Sequence, residues 1–102
     1  MELTEQTKLE DVIATEGVTV VDYYATWCGP CKMMKPILDA IDASGKAKVV
    51  KVDTEIHPDL AKGFGIQSLP TLMFYKDGAL LEDQTHIGAI PKPTLEKRIE
   101  AM

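Results

Sequence analysis

Val18 to Ala25 reads Val-Thr-Val-Val-Asp-Tyr-Tyr-Ala, a short run of β-branched and aromatic residues that is apolar on both faces apart from Thr19 and Asp22. Side chains alternate across a strand, so a segment apolar at odd and even positions alike needs cover on both sides. This excludes a sheet with one wet face and asks for a central strand between two layers of helix. Asp22 is the anomaly within it.

The flanking segments supply those layers. Thr7-Lys8-Leu9-Glu10 has the form of a capping box, and Leu9, Val12 and Ile13 follow at helical spacing before Gly17. From Cys28 a second helical pattern runs through Met33, Met34, Ile37, Leu38 and Ile41 to Ser44-Gly45, with a kink expected near Pro36. Lys48–Asp53 reads as an inner strand, Pro58–Phe64 as a short helix and Thr71–Tyr75 as a third strand. Asp77-Gly78 is a hairpin signal, so Leu80 towards Ile87 is expected to return antiparallel until Gly88. Leu95 and Ile99 mark a last amphipathic helix from about Pro93. The order predicts an α/β fold, a central mixed sheet of four or five strands with helices on both faces. Strands separated by helices are expected to be parallel and the last pair antiparallel. Met1 to Thr4 is too short to assign.

At 102 residues, 45% of them apolar and 26% charged, the chain fits a single domain over residues 1–102 with an ordinary core. The net charge is −5 and no basic cluster occurs, which argues against nucleic acid and anionic membrane as partners. The apolar runs are only a few residues long, against the ~20 that a spanning helix needs. Met1-Glu2-Leu3-Thr4-Glu5 is acidic where a secretory leader carries a positive region, so the cytoplasm is the expected location.

Cys28 and Cys31 are the only cysteines. Two are too few for a disulfide framework, and a spacing of three allows only local pairing. They lie where the apolar strand passes into the Pro36 helix. At a helix N-terminus, free N–H groups and the macrodipole favour a thiolate at the first position, and positions i and i+3 share a face. Pro30 suits the first turn, where its missing N–H is not needed. The bland alternatives are a structural disulfide or half of a zinc site. Zinc would need two more ligands, and His57 and His86, the only histidines, lie in no ligand-spaced motif and are expected at the surface.

With these residues in place the sequence closely resembles the thioredoxin family. The resemblance is carried by Val21-Asp22, Trp27-Cys28-Gly29-Pro30-Cys31-Lys32, Pro36, Lys51, Asp53, Leu69-Pro70-Thr71, Asp77-Gly78 and Gly88, so it extends over nearly the whole chain. It departs from the commonest pattern at Tyr24, where many members have tryptophan, and at Ser68, where many have glycine. It implies the thioredoxin fold and a cytoplasmic, monomeric protein-disulfide reductase that works through a Cys28/Cys31 dithiol. No metal or organic cofactor is needed. The partners implied are protein disulfides as substrates and thioredoxin reductase as electron donor.

Asp22, a carboxylate in an apolar strand that leads straight into Cys28, already suits a general base for Cys31 on its surroundings alone, where the bland reading is a hydrogen-bonded polar residue in a core. The same resemblance assigns roles to the remaining candidates. Lys51 opposes the rise in the Asp22 pKa that burial would cause. Gly29, Pro30 and a cis Pro70 support the site, and Trp27, Leu69, Ile87, Gly88 and Ala89 line a shallow groove that receives the target backbone. Two alternatives stay open. A disulfide oxidase or isomerase would use the same cysteines, and a binding module would use the groove with the cysteines incidental.

Overall fold

The computed structural model describes all 102 residues. The two-sided apolar run forms β1, Val18–Tyr24, with β2 (Lys48–Asp53) parallel on one side and β3 (Thr71–Lys76) antiparallel on the other. β4 (Ala79–Leu80) and β5 (His86–Ile87) both pair with β3, giving a five-stranded mixed sheet of order β2-β1-β3-β4. Four helices accompany it: α1 (Leu9–Ile13), α2 (Gly29–Ser44), α3 (Pro58–Gly63) and α4 (Lys92–Glu100).

The period-two alternation of β1 sorts the core into two halves. Val18 and Val20 pack with Met34, Leu38 and Ile41 of α2 and with Leu95 and Ile99 of α4. Val21 and Tyr23 pack on the opposite face with Leu9 and Val12 of α1 and with Leu60 of α3. Val20, Val21 and Tyr23 are all fully buried, and the two valines each contribute about 1.5–3 kcal/mol in burial. The same alternation puts Asp22 on the face shared with Val18 and Val20, the face that α2 covers. In register, Lys51 of β2 stands beside it on one side and Leu72 of β3 on the other.

α2 explains why β1 and β2 are parallel, and α3 why β3 is not. Sixteen helical residues span about 24 Å, close to the length of seven strand residues, so α2 returns the chain to the start of the sheet. The six residues of α3 span only about 9 Å. The chain therefore crosses the same end of the sheet where β2 finished, and β3 starts there, Thr71 against Tyr23. The sequence expectation of three parallel strands is corrected on this point.

Two local readings are corrected as well, and one left open is decided. α1 starts at an N-cap Lys8 with no side-chain cap, because the Thr7 hydroxyl is engaged with that of Thr4 at 2.8 Å. The return strand after Asp77-Gly78 is broken into β4 and β5 by a 3₁₀ turn at Glu82–Gln84. The hairpin turn itself has both central residues at positive φ, 50° and 86°, as a tight two-residue connection requires. Finally, Glu2 forms a parallel bridge to Lys51, so the first residues extend the sheet beyond β2.

Candidate active site

Cys28 is the N-cap of α2. Its backbone is extended, φ −83° and ψ 115°, and its sulfur accepts the N–H of Cys31 at 3.2 Å, a bond that serves one of the free donors of the first turn. Pro30 occupies that turn without loss of a bond. The helix continues through Pro36 as one element and ends at Gly45, whose φ of 77° permits the left-handed C-cap. Cys28 and Cys31 are joined as a disulfide with Cα atoms 5.2 Å apart.

Exposure does not distinguish the two cysteines, at 5% and 6%, but their surroundings do. Cys28 lines an open groove of about 440 Å³ with Trp27, Gly29, Pro30, Ile66 and Leu69. Trp27 stands 71% exposed on its rim. Cys31 instead lines a separate cavity of about 230 Å³ on the α2 side of the sheet, together with Asp22, Tyr24, Lys32, Lys35, Lys51 and Glu2.

Asp22 is 1% exposed and its Oδ1 has no hydrogen-bond partner. Burial, which penalises the charged form, pushes its pKa from 3.8 to about 7. Lys51 opposes the rise and Glu2 adds to it. A carboxyl of this kind holds or releases a proton near neutral pH, and it faces the same cavity as Cys31.

The Leu69–Pro70 bond is cis, and Pro70 is buried. The Pro70 carbonyl accepts the Gly88 N–H at 2.8 Å, which brings Gly88, at φ 96°, alongside it. Ile87 is 64% exposed and Ala89 is also exposed. These last three lie at the β3–β5 end, beside Pro70, and outside the groove that Cys28 lines. Leu69 packs against Ala25, Cys28 and Cys31, and its backbone N–H and carbonyl take part in no hydrogen bond within the chain. His57 and His86 line neither cavity. Both are half-buried rather than at the surface, the His57 ring facing the Leu3 carbonyl at 3.0 Å and the His86 ring the Ala89 carbonyl at 3.5 Å.

The thioredoxin family model matches residues 1–101. The chain belongs to the thioredoxin family. It is 41% identical to thioredoxin 1 of Nostoc sp. over 97% of this chain and 92% of that one. It is 39% identical to a thioredoxin of Pseudomonas aeruginosa over the same shares. A thioredoxin structure from Halobacterium salinarum superposes with a TM-score of 0.89 at 32% identity, covering 99% of this chain and 88% of that one.

As a member of the thioredoxin family with a disulfide-forming Cys28–Cys31 pair, the protein is a thiol–disulfide oxidoreductase, a protein-disulfide reductase. Its partners in general terms are proteins that carry disulfides and a reductase that restores the dithiol. No helix is long and apolar enough to cross a membrane. Sequence reasoning missed two sets of site residues. Thr54, Ala61, Ile66 and Gln67 complete the groove, and Glu2, Lys32 and Lys35 complete the Asp22 cavity. Lys32 and Lys35 could have been found from their helical spacing to Cys31 on α2, whereas Glu2 and the groove residues come from separate elements that no spacing signal joins.

Proposed function

We propose that Cys28 is the attacking sulfur, Cys31 the resolving sulfur and Asp22 the base that serves Cys31. The Cys28 thiolate attacks one sulfur of a target disulfide. A Cys28–target mixed disulfide forms, and the other target sulfur leaves as a thiolate and takes up a proton. Asp22, charged at that stage, receives the Cys31 proton through the cavity. The Cys31 thiolate then attacks Cys28, and the second target sulfur is expelled and protonated. The target gains two electrons and two protons, and the Cys28–Cys31 disulfide results.

The observation that carries the assignment is the division of surroundings, Cys28 on the open groove and Cys31 on the Asp22 cavity. The place of Cys28 at the N-cap of α2 supports a lowered thiol pKa. The unpaired backbone of Leu69 beside the cysteines supports strand-like pairing with the target, with cis Pro70 shaping that edge and Trp27, Ile87, Gly88 and Ala89 as rim. Gly29 and Pro30 bring no cation to the thiolate, which favours a reductant over an oxidase.

Each cycle leaves a disulfide, so the reading calls for a reducing compartment, the cytoplasm, with thioredoxin reductase as the donor. It takes residues 1–102 as one domain and the protein as a monomer, because the rim has to stay uncovered to receive a target. Iodoacetamide labelling of the reduced protein near pH 7 is expected to modify Cys28 before Cys31, and Cys31→Ser to accumulate mixed disulfides with an insulin substrate. Labelling of Cys31 first would reverse the roles.

A further inference from the structure

Asp22, 1% exposed, lines the cavity it shares with Cys31, and the wall of that cavity holds a second acid to which the redox chemistry gives no role. Glu2 is carried there by its bridge to Lys51. The bridge is pinned on both sides: the Leu3 N–H donates to the Lys51 carbonyl and the Lys51 N–H to the Met1 carbonyl, each at 2.8 Å. From this position the Glu2 carboxylate accepts the Tyr24 hydroxyl at 2.6 Å. The Lys51 ammonium lies 5.5 Å from the centre of the same Tyr24 ring. Tyr24 is therefore held at its hydroxyl by an anion and at its face by a cation, and that cation is the one that stands beside Asp22 in register.

We infer that Glu2 is a positioning residue for the Cys31 proton step: the Tyr24 hydroxyl holds its carboxylate at the outer wall of the cavity, where it sets a second negative charge against Asp22 and partly offsets Lys51. The inference rests on Asp22 acting as the base of Cys31. The groups facing Asp22 are few. Lys51 comes from β2, Tyr24 from β1, Glu2 from the bridging segment, and Cys31, Lys32 and Lys35 from α2, while β3 presents the apolar Leu72. Burial raises the Asp22 pKa, Lys51 lowers it and Glu2 raises it, so loss of the Glu2 charge leaves Lys51 less opposed. Tyr24 feels the arrangement too, its hydroxyl held far above the ordinary range first by burial and next by the bond to Glu2.

Two substitutions separate charge from placement. Glu2→Gln keeps an acceptor for the Tyr24 hydroxyl and removes the charge, whereas Tyr24→Phe keeps the ring beneath Lys51 and removes the donor. The readouts are the Asp22 side-chain carboxyl carbon titrated by NMR in the oxidised protein, and the pH profile of insulin-disulfide reduction. Glu2→Gln is expected to move both midpoints down by about half a pH unit, the scale of one charge acting through a partly hydrated cavity. Tyr24→Phe is expected to move them the same way by less, because the released carboxylate turns to water. A purely structural role for Glu2 would lower stability and move neither midpoint. Unmoved midpoints in both variants, with Asp22→Asn still abolishing the pH dependence, would overturn the role of Glu2 and leave that of Asp22. Asp22→Asn with the parent's rate and profile would overturn both.

Discussion

Replacing Asp22 by asparagine tests the buried carboxyl through stability before activity is considered. The side chain is 1% exposed, stands between Lys51 and the apolar Leu72, and leaves Oδ1 without a partner. A carboxyl held at about 7 in the folded protein and near 3.8 when exposed binds more protons folded than unfolded between those values. Stability therefore falls as pH rises from about 4 to about 7 and levels off above. At about 1.4 kcal/mol per pH unit, the fully charged carboxylate costs the fold about 4 kcal/mol in alkaline solution. Asn removes that cost but brings amide donors whose burial costs about 1–3 kcal/mol, so Asp22→Asn should be the more stable protein at pH 8 by about 1–3 kcal/mol. With an m-value of about 1–3 kcal/mol/M, that is a rise of roughly 1 M in the urea midpoint. The oxidised protein is the right sample, because its bonded sulfurs do not titrate and the pH slope belongs to Asp22. The variant should be nearly flat between pH 4 and 8 and, when reduced, slower in turning over insulin. An Asp22→Asn protein less stable than the parent at pH 8, or one that keeps the parent's slope, would refute the reasoning.

Lys51→Met removes the cation that opposes the burial of Asp22, so the pH range over which stability falls should extend further above 7, and urea titrations at pH 7, 8 and 9 would detect the continued fall. Gly45→Ala should cost about 1–2 kcal/mol, seen as a lower Tm; a Cβ there meets nothing within 4 Å, so the cost is that of a left-handed backbone alone. Leu38→Ala deletes a fully buried side chain between β1 and α2 and should cost about 2–5 kcal/mol by chemical denaturation, whereas a cost under about 1 kcal/mol would mean the core there closes over the gap.

What could be read from the sequence was what a few neighbouring residues decide. The two-sided apolar run placed β1 at the centre, Gly45 stopped α2, Asp77-Gly78 made its turn, and Cys28-Gly29-Pro30-Cys31 announced a helix start with two sulfurs on one face. Each of these rests on backbone preferences or on side-chain periodicity, which act within one or two turns of chain. The direction of β3 was not legible because it depends on a comparison of lengths, α3 against the strand it would have to run back along. The capping box at Thr7 failed for a related reason. Its hydroxyl found a nearer partner in Thr4, a choice that spacing alone does not encode.

The same distinction explains why half of the site was visible and half was not. Cys28, Cys31 and Asp22 lie on one continuous stretch of chain, and the period of β1 already sends Asp22 to the face that α2 must cover. The charges that tune Asp22 come from elsewhere: Lys51, which only the family resemblance supplied, through the pairing of β2, and Glu2, which no pattern indicated, through a bridge to β2 that is a single residue pair long. A reactive pair can be specified locally because its geometry is that of one helix turn. Its proton chemistry cannot, because the energy of a buried charge is set by every group facing it across the cavity, whatever its distance along the chain. With Asp22 as the proposed base, a sequence with the same Cys28–Cys31 motif and an uncharged residue at position 2 is expected to keep its disulfide geometry and release the Cys31 proton at a lower pH.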